Sequence, residues 1–252
     1  MPLTALTIED YVATLTLYPA PEGASRAFTE AVAEACEEIG DLGGRANVVV
    51  VRCIPEFPSQ WDPDALAEPV LDGLMRPLGA GFDALAALPQ PTVAAVRGRA
   101  HSAGLELALA CDMRVATQSA TFAMPETGLG MVPLGGGTQR LPRAVGRPQA
   151  LRLLLSGVEI DAAEAHRFGL VTDVVPEGEE IEAALNIARV IASRAPIATR
   201  FAKEAVMRGI EQPLQQGLRT ELDMTVILQT TADRAEGVSA FVERRPPKFT
   251  GN

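Results

Sequence analysis

Hydrophobic and polar residues follow one pattern near the start of the chain and a different one further along. They alternate over residues 3–17, which is typical of a strand or hairpin. Over residues 24–42 the apolar positions recur at helical spacing, and Gly43-Gly44 ends that pattern. The β-branched run at residues 47–51 predicts a strand that is buried on both faces.

The same alternation of strand and helix patterns continues through the middle of the chain. A proline-rich loop is followed by a helical pattern over residues 65–88. Further segments are strand-like at 92–96 and 113–117, helical at 104–110, and strand-like again at 170–175. Strands that alternate with helices favour parallel pairing, so we predict the α/β fold class.

The last part of the chain is mostly helical in its pattern. Apolar positions predict three successive helices, at residues 196–209, 214–230 and 232–242. We therefore predict an α/β core at residues 1–190 and a helical region at 191–252 that serves oligomerisation.

The charge of the chain argues against a nucleic-acid surface. Its 252 residues contain 22 Lys and Arg and 32 Asp and Glu, which gives a net charge of −10. Nucleic-acid binding requires clustered cations. The most apolar stretch, at residues 92–113, is interrupted by Arg97, Arg99 and Glu106, so we expect no membrane span.

The cysteines and the N-terminus point to a cytoplasmic protein. The three cysteines are odd in number and lie far apart, which argues against a disulfide framework or a zinc site. The N-terminus lacks a basic region followed by an apolar run, so we expect no signal peptide.

Three known binding motifs fit the chain poorly. Gly128-Leu129-Gly130 lacks the third glycine of a dinucleotide loop. The run from Gly135 to Thr138 lacks the lysine of a P-loop, and it is typical of a flexible helix entry. Neither His101 nor His166 has a second histidine at helical spacing, so we predict no metal site.

A serine hydrolase is one alternative. The segment from Ala100 to Gly104 differs by one alanine from the nucleophile elbow G-x-S-x-G, with Ser102 as the nucleophile. The base would have to be His166, the only histidine further along the chain. His166 lies within a helical pattern, whereas this class of enzyme takes its histidine from a late loop.

Two glutamates suggest enolate chemistry at the same turn. Small residues from Ser102 to Gly104 leave backbone N–H groups open at a helix start, where they can hold a thioester oxygen as it gains charge. Glu106 follows in the first turn, where it could equally only complement the helix dipole. Glu126 lies between a proline and several glycines, which predicts a fixed loop.

Taken together, these segments resemble the enoyl-CoA hydratase/isomerase (crotonase) superfamily. The resemblance covers nearly the whole chain. It is carried by Pro91–Val96, Gly104–Ala108, Cys111-Asp112, Phe122–Glu126, Gly136–Leu141, Gly169–Val171 and Arg245–Gly251.

The resemblance implies a fold, a substrate and an assembly. The fold is a crotonase-like spiral of β-β-α repeats, and its C-terminal helices build a homotrimer or a hexamer. The substrate is an acyl-CoA thioester, as in fatty acid metabolism. No separate cofactor is expected, because coenzyme A is part of the substrate.

The resemblance also assigns residues. Glu106 and Glu126 match the two catalytic glutamates of the hydratases, with Glu106 as base for the water and Glu126 as proton donor to Cα. Ala103 matches a residue whose N–H forms half of the oxyanion hole. Gly104 and Lys248 are expected to contact the substrate.

One segment departs from the family pattern. Where the family places glycine and alanine, this chain has Gln60 and Trp61. The N–H of Trp61 can still be the second oxyanion donor, while its ring is expected to contact the substrate and narrow the acyl site.

Hydration of the acyl-CoA substrate is the favoured reaction. The alternatives are an isomerase or another enolate reaction, and an acyl-CoA-binding protein of weak activity.

Overall fold

The computed structural model describes residues 2–67 and 78–252. Its strands are β1 (Thr4–Glu9), β2 (Val12–Leu17), β3 (Val48–Cys53), β4 (Thr92–Val96), β5 (Arg99–His101), β6 (Met113–Thr117), β7 (Thr121–Ala123), β8 (Ile160–Asp161) and β9 (Asp173–Val175). Its helices are α1 (Arg26–Asp41), α2 (Pro63–Ala67), α3 (Ala80–Ala86), α4 (Ala103–Leu109), α5 (Gly137–Val145), α6 (Arg147–Ser156), α7 (Ala162–Arg167), α8 (Glu180–Ala192), α9 (Pro196–Ile210), α10 (Leu214–Leu228) and α11 (Ala232–Glu243).

The strands form two sheets. The larger one has six strands in the order β1-β2-β3-β4-β6-β9, and the smaller one has the order β5-β7-β8. In the larger sheet β1 and β2 form an antiparallel hairpin, and every later pairing is parallel. The predicted α/β class with parallel pairing is confirmed.

Strand β3 is buried on both faces, as its β-branched run predicts. Val49 and Val51 belong to the main core on the side of α1, α3 and α4. Val48 and Val50 face the opposite way and pack with Ala184 of α8 in a second cluster. Alternate residues of a strand point to opposite faces, so one run of valines fills both cores.

The helix predicted over residues 65–88 differs from what the structure contains. Its described first part lies in α2, and the described residues resume with a turn at Leu78-Gly79 before α3. A Cβ at Gly79 would lie only 2.7 Å from the Cα of Gly135, so the chain approaches the glycine run closely here. The part of the prediction that covers residues 68–77 lies outside the described residues.

The pairing of β5 with β7 brings two distant chain segments together. His101 is paired with Ala123, and the N–H of Ser102 donates to the carbonyl of Ala123 at 2.9 Å. Ser102 turns the chain sharply into α4, with φ at 48°, a value that non-glycine residues rarely adopt. The start of α4 therefore lies beside the segment that follows β7.

The three predicted C-terminal helices are confirmed as α9, α10 and α11. The predicted strand over residues 170–175 is shorter than expected, since only Asp173–Val175 pairs with β6. The division at residue 190 remains a prediction, and α8 spans it while packing on the larger sheet. No helix in residues 2–67 or 78–252 is long and apolar enough to cross a membrane.

Candidate active site

Glu106 lies in the first turn of α4 and is fully buried. Its Oε1 accepts hydrogen bonds from the N–H groups of Gly135 at 2.7 Å and Gly137 at 2.8 Å. Its Oε2 accepts one from the indole Nε1 of Trp61 at 3.0 Å. The carboxylate is therefore held in one orientation by two main-chain donors and one side-chain donor.

The surroundings of Glu106 change its acidity. Its pKa is raised to about 7, mainly by burial and to a smaller extent by the negative charge of Glu126, against the lowering effect of the donors Gly137, Trp61 and Gly135. Both the ionised and the protonated forms are therefore populated near neutral pH. A group with its pKa near the working pH is well suited to general acid–base catalysis.

Glu126 begins a 3-10 turn at Glu126–Leu129, after β7, and is only 3% exposed. Neither of its carboxylate oxygens has a hydrogen-bond partner within residues 2–67 and 78–252. Buried carboxylate oxygens normally have partners, because desolvation without hydrogen bonds is unfavourable. The oxygens of Glu126 can therefore accept a hydrogen bond from a water molecule or a substrate.

The glycine run before α5 is required by its contacts with Glu106. A Cβ at Gly137 would lie 2.9 Å from Cε of Met124 and 3.1 Å from Oε1 of Glu106. A Cβ at Gly135 would lie 2.7 Å from Cδ2 of Phe82. The run is the helix entry that its sequence predicts, since α5 begins at Gly137, but its hydrogen bonds to Glu106 were not predicted. The signal was present, since adjacent glycines allow close approach of the main chain.

A second close contact places residues 57–61 against the start of α4. A Cβ at Gly104 would collide with the carbonyl oxygen of Pro58 and would lie 3.3 Å from Cβ of Phe57. Only glycine allows the two segments to approach so closely. The segment that carries Trp61 is therefore packed directly on the helix that carries Glu106.

Within residues 2–67 and 78–252, the main-chain N–H groups of Ala103 and Trp61 donate no hydrogen bond to another loop or turn. Ala103 is the first residue of α4, where an N–H has no partner within the helix. Trp61 forms an isolated bridge with Ala24, made by the N–H of Ala24 to Gln60 and the N–H of Asp62 to Ala24. That bridge does not use the N–H of Trp61 itself.

Lys248 is not part of this cluster in the described chain. It is exposed on the C-terminal tail, and its N–H donates to Oε1 of Glu236 on α11 at 2.7 Å. Among residues 2–67 and 78–252, the hydrogen bonds of the Glu106 carboxylate come from other residues, and the Glu126 carboxylate has no partner, so neither is bonded to Lys248. Its predicted contact with substrate stays a prediction.

The serine hydrolase alternative has no support from the geometry. Nδ1 of His166 lies 3.1 Å from the carbonyl oxygen of Val171. Nε2 of His101 lies 2.9 Å from the hydroxyl of Thr121 and 3.1 Å from a Glu159 oxygen. In the part of the chain that the structure describes, Ser102 bonds to neither histidine, and no group of three His, Cys, Asp or Glu is placed to hold a metal ion.

The comparison with protein families identifies the chain. The model of the enoyl-CoA hydratase/isomerase family matches residues 48–252. This chain belongs to the enoyl-CoA hydratase/isomerase family. The family membership inferred from the sequence motifs is therefore confirmed, and with it the expectation that this family member is an enzyme.

Individual relatives of this family member carry hydratase names. "Probable enoyl-CoA hydratase echA8" of Mycobacterium tuberculosis is 38% identical over 220 residues, which are 87% of this chain and 86% of that protein. "2,3-dehydroadipyl-CoA hydratase" of Escherichia coli is 46% identical over 167 residues, 66% of each chain. "Probable enoyl-CoA hydratase 2, mitochondrial" of Arabidopsis thaliana is 46% identical over 171 residues, which are 68% of this chain and only 57% of that protein.

Solved structures confirm the crotonase fold. The enoyl-CoA hydratase of Bacillus anthracis superposes with a TM-score of 0.91 at 34% identity, covering 99% of this chain and 100% of that one. An enoyl-CoA hydratase of Geobacillus kaustophilus gives a TM-score of 0.90 at 32% identity, covering 99% and 98%. These matches extend over both the α/β core and the C-terminal helices.

Proposed function

We propose that this protein adds water across the 2,3 double bond of an acyl-CoA thioester. The observation that carries the proposal is the pair of buried carboxylates. Glu106 is held by three N–H donors and has a pKa of about 7. Glu126 raises that pKa by its charge and presents oxygens that no described residue occupies. Hydration requires two acid–base groups that act on the same substrate, and different surroundings allow the two groups to take different roles.

The proposed reaction begins with water between the two carboxylates. Glu106 takes a proton from the water as the water oxygen bonds to Cβ of the substrate. The electron pair of the double bond moves towards the carbonyl carbon, and negative charge develops on the thioester oxygen. The N–H groups of Ala103 and Trp61 stabilise the resulting enolate. When the enolate collapses, Cα takes a proton from Glu126. Transfer of the proton from Glu106 to Glu126, directly or by exchange of both groups with solvent, restores the ionised Glu106 and the protonated Glu126 that begin the cycle.

The test is to follow a panel of 2-enoyl-CoA substrates by loss of their absorbance and to identify the products. We expect a 3-hydroxyacyl-CoA from at least one acyl chain, and the panel will define the preferred chain length and branching. Tight binding of every acyl-CoA without turnover would contradict the proposal and would favour a protein that only binds acyl-CoA.

A second candidate is isomerisation, which moves the double bond without adding water. It is favoured by one observation, which is that the oxygens of Glu106 already accept three hydrogen bonds while those of Glu126 accept none from the described residues. A single mobile carboxylate is sufficient to shuttle a proton between Cα and Cγ. Formation of a 3-enoyl-CoA in the same assay would favour this reaction.

We also propose a trimer or hexamer built on the C-terminal helices. Between α9 and α10 lies an apolar groove, and both helices expose large apolar side chains: Val206, Ile210, Leu214, Leu218, Leu222 and Val226. Apolar patches of this extent are rarely left in contact with water.

We therefore expect light scattering at micromolar concentration to give three or six times the 26.6 kDa chain mass. Leu218→Glu should shift the protein towards smaller species, because it places a charge in the groove. Gln215→Glu adds the same charge at an exposed polar position of α10 and should leave the mass unchanged. A wild-type protein that is monomeric under these conditions would contradict the assembly.

A further inference from the structure

Trp61 is the only tryptophan in the chain, and its ring contacts the candidate catalytic pair. The indole N–H donates a hydrogen bond to Oε2 of Glu106, which lies 45 residues further along the sequence. The side chain is only 3% exposed, and its ring lies 5.4 Å from the ring of Phe82, at 33° between the planes. The ring is therefore fixed by packing on one side and by a hydrogen bond to a carboxylate on the other.

The main chain at Trp61 is fixed by bonds that do not involve the indole. Its bridge to Ala24 uses only backbone groups of the neighbouring residues. Gly23 lies directly against the same segment, where a Cβ would be 2.6 Å from the carbonyl oxygen of Gln60. The position of the Trp61 N–H, the proposed oxyanion donor, should therefore not depend on the ring.

Trp61 also differs from the other two donors to Glu106. Gly135 and Gly137 both donate to Oε1 through the main chain, whereas the indole is the donor to Oε2 among the described residues. Without the indole, Oε2 would be a buried carboxylate oxygen with no partner in that part of the chain, which is unfavourable for the ionised form.

We infer that Trp61 is a positioning residue for Glu106, whose indole N–H orients the carboxylate and favours the ionised form that accepts a proton from water. The inference rests on the proposed hydration for its catalytic meaning. The hydrogen bond on which it stands is observed independently of any reaction.

The inference gives a definite direction for pH dependence. Among the described residues, the groups acting on Glu106 are the uncharged donors Trp61, Gly135 and Gly137 and the titratable Glu126. Donation by Trp61 lowers the pKa of Glu106, so loss of the indole N–H should raise it. The base form of Glu106 would then be populated only at higher pH. In a variant without the indole N–H, the activity that is lost at low pH should return as the pH rises.

The first test uses fluorescence and needs no substrate. Because Trp61 is the sole tryptophan, emission excited beyond the tyrosine band reports on its surroundings alone. We expect the emission to titrate with a midpoint of about 7, where Glu106 ionises. Glu106→Gln should abolish the titration, and the exposed Glu182→Gln should leave it unchanged. An identical titration in wild type and Glu106→Gln would overturn the inference, even if hydration is confirmed.

The second test compares Trp61→Phe with Phe82→Leu. Trp61→Phe keeps an aromatic ring but removes the N–H, whereas Phe82→Leu loosens the packing and keeps the N–H. For Trp61→Phe we expect the acidic limb of the kcat/KM profile to move up by about one pH unit, with roughly tenfold loss below it. Phe82→Leu should leave the limb in place. If the acidic limb stays at its wild-type pH in both folded variants, the positioning role of Trp61 is contradicted.

The two tests separate the inference from the proposed function. If no acyl-CoA is converted, the proposed hydration fails, while the fluorescence titration still decides whether the indole senses Glu106. If Trp61→Phe does not fold, the comparison of wild type with Glu106→Gln remains, and it supports or overturns the contact without that variant.

Discussion

The surroundings of Glu106 and Glu126 differ sharply, although both side chains are buried carboxylates in the same site. Glu106 is on a helix and accepts three N–H groups from two other chain segments. Glu126 starts a short 3-10 turn and accepts none from the described residues. The protein itself fixes the orientation of one carboxylate, whereas the other can take its hydrogen-bond partners from water or substrate.

This difference supports the separate roles that we propose for two chemically identical groups. A carboxylate held in advance needs no reorganisation when the reaction begins, which suits the group that orients and deprotonates water. A carboxylate with open lone pairs can exchange a proton with the substrate. In the proposed reaction the environment, and not the residue type, separates the two roles.

The largest expected effect is the loss of turnover when either carboxylate is neutralised. Glu106→Gln and Glu126→Gln should each lower kcat by about 10²–10⁴-fold, the usual scale for a positioned acid or base. The matched control is Glu182→Gln, which changes the same group in an exposed ion pair with Arg189. Steady-state kinetics on the best 2-enoyl-CoA, with folding checked by circular dichroism, measures this. Near-normal turnover in both variants would remove the two-carboxylate mechanism.

The buried position of Glu106 should also make stability depend on pH. Its pKa is raised from 4.5 to about 7 in the folded chain, so the folded state holds a proton that the unfolded state has lost between these values. Stability should therefore fall as the pH rises from 5 to 8, by roughly 2 kcal/mol more in wild type than in Glu106→Gln.

Urea unfolding of both proteins at one fixed protein concentration measures this difference. The comparison of the two proteins removes the contribution of all other titrating groups. If the two stabilities change in parallel between pH 5 and pH 8, the carboxyl of Glu106 has an ordinary pKa in the folded chain.

The ring of Trp61 is expected to affect acyl preference. Trp61→Ala removes a large side chain beside Glu106 and should change the ranking of short, long and branched enoyl-CoAs. One methylene in a pocket changes discrimination by about 1–3 kcal/mol. Trp61→Phe keeps most of the shape and should keep the ranking. Measured kcat/KM values across the panel test this, and an unchanged ranking in Trp61→Ala would place the ring outside the acyl site.

The smallest expected effect is the influence of Glu126 on the acidity of Glu106. The charge of Glu126 raises the pKa of Glu106, so Glu126→Gln should lower the fluorescence midpoint of Trp61, by less than about one pH unit. This is opposite in sign to the change expected for Trp61→Phe in the kinetic profile. A midpoint that does not move would show that the two carboxylates do not interact.

Local sequence patterns predicted the helices and strands whose formation depends mainly on residues that are close together in the sequence. The three C-terminal helices and the doubly buried strand β3 follow from periodicity within single segments. The single helix predicted over residues 65–88 was wrong at Leu78-Gly79, where a turn precedes α3, because the close approach of Gly79 to Gly135 is a contact that no local pattern contains.

The candidate site could be predicted only in part. Glu106 and Glu126 were identified from the family resemblance, and their proximity depends on the pairing of β5 with β7. The donors from Gly135 and Gly137 are backbone groups, which have no signature in side-chain chemistry. The bond from Trp61 to Glu106 joins residues 45 apart and requires the tertiary structure.

The most direct test of the central claim is the reaction of a 2-enoyl-CoA with the wild-type protein in D2O. Because Cα takes its proton from a solvent-exchanging carboxyl group and Cβ takes the hydroxyl, we predict a 3-hydroxyacyl-CoA with one deuterium at Cα. Mass spectrometry and NMR of the product measure both features. A 3-enoyl-CoA as the sole product, or unchanged substrate at high protein concentration, would contradict hydration by the Glu106 and Glu126 pair.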